Sequence, residues 1–509
     1  MKILFKILNK KHLQKSKLIF NSIAAIGQVL IVGIVYLILY RYLLVTLGIE
    51  LLGVWSLIIA STSLALIANF GISTSIIKFV ATYHARNDME SLKKLIFTAS
   101  VFIIITYSII SFIILIAGNY ILPHFIEAKY LPIALEILPF SLISLVINAL
   151  GGLISSCLDG IQKNYIKSYI VSFTSILLFA LSVLLTPKFG LKGLIFAQII
   201  QAVVVLFAST YFLSKYIKGV FSFKWNWSKS LFLEIIDYGI KMQALSIMQM
   251  SFEPITKALL SKYGGLAMVG YYEMASRLVT QLRGLIVSAN QVIIPVVADA
   301  KETNESYVKE LYVKTFSIVL LFDIILITGI IITSPIVSFL WIGKIVPFFL
   351  FAVVLNSIVA FFNIISNPAY FSYLGEGKLN WLIYSYLAIS IINPVLGYFL
   401  GYHFGGYGVI LGWNIAFLIG SLLVMISYHK ANNISLTILI SKYDLLFMIS
   451  AISTIFFGYY AIISWFNTPL NYLFICIFVL CLIFFIFLFF KNHHLKNVIE
   501  KVALLFQKN

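Results

Sequence analysis

Charge is scarce in this chain, and negative charge is scarcest. Asp, Glu, Lys and Arg make up 11% of the 509 residues, with 18 acidic side chains against 36 basic ones. At 61% apolar residues and a mean hydropathy of +1.03, too little polar surface exists for a soluble fold. Cysteine is nearly missing as well. Cys157, Cys476 and Cys481 stand apart, within or beside apolar runs, so they read as small packing groups and not as a disulfide framework. Of the seven histidines only His493 and His494 are neighbours, and no metal-ligand spacing recurs. A GxxxxGK[ST] phosphate loop is lacking, so neither ATP hydrolysis nor a cofactor is expected. The net charge of +18 raises nucleic acid as a partner, which would need the basic residues gathered on one module. They are scattered between apolar runs instead, and nucleic acid is excluded as an expectation.

What fills the chain is apolar runs of about 20 residues, the length that crosses hydrocarbon. About fourteen can be placed, at roughly 18–40, 51–74, 95–117, 134–155, 166–186, 190–214, 231–256, 267–295, 314–334, 346–370, 380–402, 406–428, 443–465 and 470–490. Placing the N-terminus in the cytoplasm puts most Lys and Arg in cytoplasmic segments. The opposite loops hold Arg41, Lys129, Lys188, Lys192, Lys257, Lys262 and Lys344. That bias predicts both termini in the cytoplasm and an even helix count. Residues 1–17 imitate a secretory signal, but the run that follows is too long and no small-x-small site succeeds it. They are expected to form an amphipathic segment on the anionic leaflet. The longest outer loop, roughly 118–133, offers only His124, Glu127 and Lys129, which argues against a membrane glycosyltransferase or polymerase.

The chain also repeats itself. Gly160-Ile161-Gln162-Lys163 leads to Phe189-Gly190-Leu191-Lys192-Gly193, and Gly375-Glu376-Gly377-Lys378 leads to Phe404-Gly405-Gly406-Tyr407-Gly408 at the same spacing. Upstream, Gly48-x4-Gly53-Val54-Trp55 answers Gly265-x4-Gly270-Tyr271-Tyr272. Two similar hydrophobic halves, each with an even number of helices, predict a parallel repeat and a transporter that rocks one bundle against the other. The expected fold class is an all-α polytopic membrane protein. Its parts are an amphipathic N-terminus (1–17), a six-helix bundle (18–214), a cytoplasmic linker (215–230), a second six-helix bundle (231–428), helices 13 and 14 (443–490) and a cytoplasmic tail (491–509). The glycines after each Phe are expected where helices turn back sharply and approach closely.

Polar residues inside membrane helices are costly, so those that occur mark candidate sites. Arg277, Gln281, Gly284, Ser288 and Gln291 recur at spacings of four and three, one stripe along a helix. Arg283, Thr280 and Asn290 mark a neighbouring face. Arginine suits phosphate because its planar donors bind two oxygens at once and it stays charged when desolvated. Asp237–Lys241 and Glu253–Lys257 are i,i+4 pairs in the favourable order. Glu253-Pro254 suggests an acid beside an irregular helix and, with Asp323, is a candidate for ion coupling. Asp323, among apolar neighbours, is expected either to take up a proton or to pair with Arg277, Arg283 or Lys241. Gln249 adds a polar group to the seventh run. Asn356, Asn363 and Asn367 share one helix face, where hydrogen bonding between helices is their first role.

Leu47-Gly48-Ile49-Glu50-Leu51-Leu52-Gly53-Val54-Trp55-Ser56-Leu57, followed by Asn69-Phe70-Gly71-Ile72 and a basic loop, resembles the polysaccharide flippases. These transport O-antigen and capsule repeat units and belong to the multidrug/oligosaccharidyl-lipid/polysaccharide exporter superfamily. Val269-Gly270-Tyr271-Tyr272-x-Met274-Ala275-Ser276-Arg277-Leu278 is similar to the family's G-x-Y-x-x-A-x-[RK]-L element. The likeness covers nearly the whole chain. It implies a V-shaped pair of bundles around a cationic cavity, carrying an undecaprenyl-pyrophosphate-linked oligosaccharide across the bacterial inner membrane by alternating access. On that reading Arg277, Arg283, Arg41, Lys257 and Lys241 hold the headgroup. Gln249, Gln281, Ser288, Asn290, Gln291, Asn356 and Asn363 face the sugars, and Glu253 and Asp323 couple an ion. Membrane lipids and a polysaccharide polymerase machinery would be its partners. Asn69 stands where the family often has an acid, so ion coupling does not carry over there. A lipid II flippase shares the cationic cavity and the helix count. A multidrug exporter would call for an acid in the first helix, where Leu18–Tyr40 has none. A glycan polymerase or a membrane scaffold is the alternative from another class.

Overall fold

The computed structural model describes residues 2–63, 65, 69, 71–217, 227–290, 293–294, 297, 301, 305–467 and 472–491. Gln291, the linker from 218 to 226 and the tail from 492 therefore lie outside the described residues. So do the side chains of Asp237 and Lys241.

The described residues are mostly helical, joined by short turns. In order come α1 (Lys2–Leu47), α2 (Ile49–Ser63), α3 (Ile72–Ala85), α4 (Met89–Ile121), α5 (Leu131–Gly160), α6 (Asn164–Phe189), α7 (Leu191–Tyr216) and α8 (Lys229–Asn290). They are followed by α9 (Glu305–Ile342), α10 (Pro347–Glu376), α11 (Asn380–Ala431), α12 (Leu436–Leu439), α13 (Lys442–Asn467) and α14 (Tyr472–Lys491). Nine helices among the described residues are long and apolar enough to cross a membrane. α8 and α11 each carry two of the expected runs, because non-helical backbone at Gly265 (φ 79) and Gly405 (φ 60) breaks them. With both parts of α11, both parts of α8 (which is not one of the nine) and the shorter apolar helices α2 and α14, the described helices agree roughly with the fourteen runs expected. The exposed apolar side chains along these helices, Phe112, Phe173, Phe207 and Tyr402 among them, face the solvent that such a composition requires, hydrocarbon.

Two local expectations are refined. The run at 51–74 is not one helix, since the left-handed Gly71 (φ 71) stands directly ahead of α3, which starts at Ile72. Ser61, Thr62 and Ser63 all donate side-chain hydrogen bonds back to carbonyls of α2, a competition that weakens the helix at that point. In α8 the helix runs on through Pro254, and the break falls at Gly265.

Two compact units make up the chain, Met1–Gly270 and Tyr271–Asn509. In the first, α5 packs on α7, α4, α3 and α2, while α6 bridges α1 and α7. Its core joins Ile76 and Val80 of α3 to Leu95 and Ile103 of α4 and Ile154 and Leu158 of α5. Ser155 and Ser209 share a 2.8 Å hydrogen bond between α5 and α7, the polar adhesive that small residues permit between apolar helices. Asp88 caps α4 by accepting the Ser91 backbone N–H at 3.0 Å, which holds its carboxyl below the usual range. In the second unit α10 packs between α9 and α11, and α13 packs on both α9 and α14.

The duplication is written into the backbone. Gly190 (φ 58, ψ −138) and Gly405 (φ 60, ψ −146) have nearly the same conformation, and Gln162 (φ 62) and Gly377 (φ 72) share a positive φ. A Cβ on Gly193 would strike the Leu185 carbonyl, and one on Gly408 would strike the carbonyl of Leu400. Within the first unit the matching turns of the two copies meet reciprocally. Gly53 abuts the Leu266 carbonyl, and a Cβ on Gly270 would lie 2.6 Å from the Ile49 oxygen. Gly53 corresponds to Gly270 and Ile49 to Leu266, so the contact has local two-fold character.

Candidate functional site

The second unit, Tyr271–Asn509, contains several of the polar residues that the sequence singles out. Arg283 sits on α8 beyond the Gly265 break, and α10 places Asn363 opposite it. The Nε of Arg283 donates to Asn363 Oδ1 at 2.8 Å. Asn363 in turn donates from Nδ2 to Ser421 Oγ on α11 at 3.0 Å. The guanidinium lies over the Phe417 ring at 5.9 Å, a cation–π contact from the same face of α11 as Ser421. Its electrostatic neighbours are Tyr386 on α11, Asp323 on α9 and Tyr370 on α10. The Asn363 amide thus clamps the inner nitrogen. The two terminal nitrogens make no hydrogen bond among the described residues, and they form the edge that binds two oxygens of a phosphate.

A second rung lies two turns away, where Asn414 Nδ2 of α11 donates to Asn356 Oδ1 of α10 at 2.9 Å. Asn356 and Asn363 are seven residues apart, as are Asn414 and Ser421, so both helices present one polar face to each other. Sequence reading named Asn356, Asn363 and Asn367 of α10 and missed Asn414 and Ser421, although the same spacing of seven marks them.

The remaining candidates are dispersed. Arg277 is bound by its own helix, through Nη2 to Glu273 Oε1 at 3.0 Å, with Glu273 buried. Glu273 went unnoticed in the sequence even though it precedes Arg277 by four, the spacing that identified Asp237–Lys241. Lys257 is only 2% exposed and pairs with the exposed Glu253 at 2.5 Å, so the predicted i,i+4 pair is present. Arg41 is partly buried on α1, and Gln249 is exposed on α8; both belong to the first unit. Gln281 is partly buried and Ser288 exposed. Asn290 is buried, and its Nδ2 has no partner among the described residues. Arg283, Asn363 and Asp323 are therefore the predicted residues that the structure gathers. Among the described residues no group of three or more His, Cys, Asp or Glu is placed to hold a metal.

An apolar groove of about 640 Å³ lies between α9, α10 and α13, lined by Ile331, Leu350, Phe351, Val354, Phe456 and Tyr459.

The fold is shared with solved transporters. It matches the lipid II flippase MurJ in an inward closed conformation with a TM-score of 0.69 and 17% identity, over 93% of this chain and 99% of that one. An inward-facing multidrug resistance MATE family transporter of the MOP superfamily matches with a TM-score of 0.65 and 15% identity, over 79% and 94%. A MOP superfamily transporter from Pyrococcus furiosus, described by the reverse polarity of its binding pocket, matches with a TM-score of 0.60 and 15% identity, over 82% of this chain and 96% of that one. The fold class is thus that of the MOP-superfamily transporters. More narrowly, residues 17–301, over half of the chain, match the family model described as polysaccharide biosynthesis protein, and the chain belongs to that family. A Shigella flexneri protein named "Putative O-antigen transporter" is 24% identical over 401 residues, which cover 75% of this chain and 91% of that protein.

Proposed function

We propose that this protein is a flippase for undecaprenyl-pyrophosphate-linked oligosaccharide repeat units. It would work by alternating access across the bacterial inner membrane, with both termini cytoplasmic, and supply O-antigen, capsule or exopolysaccharide synthesis. The carrying observation is Arg283, a partly buried cation on α8 whose Nε is fixed by Asn363 of α10 while its terminal nitrogens are left for a ligand. Such a group is retained at a cost in hydrocarbon, and the chemistry that repays it is an anion. In this reading the diphosphate docks on Arg283, and the Asn356–Asn414 and Asn363–Ser421 rungs offer exchangeable hydrogen bonds to sugar hydroxyls. The groove between α9, α10 and α13 suits part of the isoprenoid tail. The family and the Shigella relative support a polysaccharide-related cargo. A polymerase that consumes the flipped repeat unit is the expected partner.

Translocation of a fluorescent undecaprenyl-pyrophosphate oligosaccharide in proteoliposomes tests this. Arg283→Ala removes charge-assisted hydrogen bonds together worth about 1.5–3 kcal/mol, so transport at limiting substrate should fall roughly 10- to 100-fold. An unchanged rate would move the headgroup site elsewhere. Absence of transport by the wild type, with preference for lipid II in the same assay, would replace the cargo by the peptidoglycan precursor.

A further inference from the structure

The headgroup site leaves one charge unexplained. Asp323 lies near the middle of α9 with none of its surface exposed, and neither carboxylate oxygen has a hydrogen-bond partner among the described residues. Other buried carboxylates of this unit are answered. Glu273 reaches Arg277, Glu376 reaches Lys378, and Asp444 accepts from the backbone and hydroxyl of Ser441. Asp323 has only a charge at a distance. Arg283 on α8 is the one charged group that acts on it among the described residues, with none from α10, α11 or α13. The two are not paired directly, since the guanidinium donates to Asn363 instead.

A buried carboxylate costs several kcal/mol unless a cation or a proton neutralises it. While the site is empty, Arg283 and Asp323 balance each other through space. An anionic diphosphate arriving at the guanidinium supplies two or more negative charges of its own and cancels that balance. Asp323 is then left buried beside an anion, and the lowest-cost response is to bind a proton. Sodium would need several oxygen ligands in a space that the guanidinium makes repulsive to cations, whereas a proton needs only the carboxylate.

We propose that Asp323 is the proton acceptor that links headgroup binding to proton uptake, one proton for each diphosphate held by Arg283. The inference rests on the headgroup reading given above. No bond in the cargo is made or broken: the carboxylate gains a proton from water as the anion binds and returns it as the anion leaves. Binding is therefore strongest at low pH and weakens as pH rises. Asp323→Asn mimics the protonated state, so it should bind without that loss.

The experiment uses the full-length protein in detergent and farnesyl diphosphate as a soluble probe. Calorimetric titration in buffers of different ionisation enthalpy counts the protons taken up per ligand. The probe's own protonation is common to all variants and cancels. Wild type should take up about one more proton than Asp323→Asn. Its affinity should also fall up to about tenfold per pH unit relative to the variant on the alkaline side. Equal proton counts and parallel pH profiles would overturn the proposal and leave Asp323 a fixed counter-ion, as would a sodium dependence that Asp323→Asn abolishes. Should Asp323→Asn not fold, infrared difference spectra of the wild type decide. A protonated carboxyl band must appear on adding the probe, and its absence sinks the idea. A wild type that fails to bind the probe, or an Arg283→Ala variant that binds it equally well, would instead remove the headgroup site itself, and the proposal with it.

Discussion

At the scale of single residues, the weight rests on how an arginine is aimed. A guanidinium on a flexible stem samples many orientations, and fixing its Nε leaves the terminal edge pointing one way. Asn363 does this with its carbonyl oxygen, and Ser421 holds the amide in the matching orientation. Asn363→Ala should therefore weaken farnesyl diphosphate binding roughly tenfold, from loss of a hydrogen bond to a charged group. Asn363→Gln, which keeps a neutral acceptor oxygen, should recover part of it. Thermal unfolding measured beside binding separates the two roles: equal losses of affinity in both variants, following their loss of stability, would make Asn363 merely structural. Arg283 and Asn363 were legible in the sequence because a polar side chain in an apolar run stands out whatever the tertiary structure. Their pairing was not, since it depends on how α8, α10 and α11 dock. Glu273 is a different case. Its i,i+4 relation to Arg277 was available from spacing alone, and it changes Arg277 from an open cation into one already engaged within its own helix.

Helices such as these gain little from apolar contact, because the surrounding lipid is equally apolar, and so they depend on close approach and shape. That places the burden on glycine at Gly193 and Gly408, where a side chain would run into the carbonyls of Leu185 and Leu400. Backbone cannot yield as a flexible side chain can. Gly193→Ala and Gly408→Ala should each cost about 1–3 kcal/mol, read as a lowered unfolding midpoint in detergent. Gly152→Ala on α5, which meets nothing within 4 Å, should be neutral or slightly stabilising. Similar midpoints for all three would mean that the α6–α7 and α11 turns relax without strain. The element boundaries show where sequence patterning runs out. Hydropathy predicted one run over 51–74, yet the left-handed Gly71 divides it. Hydropathy averages over a window, and a single positive φ is a local effect. Conversely, Gly265 and Gly405 break α8 and α11 where the sequence placed separate runs, because a positive φ is a backbone demand that only a few residue types meet.

For the whole molecule, the repeat is the strongest statement the sequence makes, and its geometry can be checked from outside. Matching positions share a positive φ, as Gln162 with Gly377 and Gly190 with Gly405 show, and the copies meet reciprocally at Gly53 and Gly270. A parallel repeat carries each pair of equivalent sites to the same side of the membrane, whereas an inverted repeat carries them to opposite sides. Lys163 and Lys378 are one such pair, and Lys192 and Tyr407 another. In a background with Cys157, Cys476 and Cys481 replaced, single variants Lys163→Cys, Lys378→Cys, Lys192→Cys and Tyr407→Cys can be treated with an impermeant maleimide in intact spheroplasts. The positive-inside bias predicts labelling at 192 and 407 without permeabilisation, and at 163 and 378 only after it. The reverse pattern would keep the parallel repeat but turn the termini outward. Disagreement within a pair would break the repeat itself, and with it the expectation of two equivalent halves.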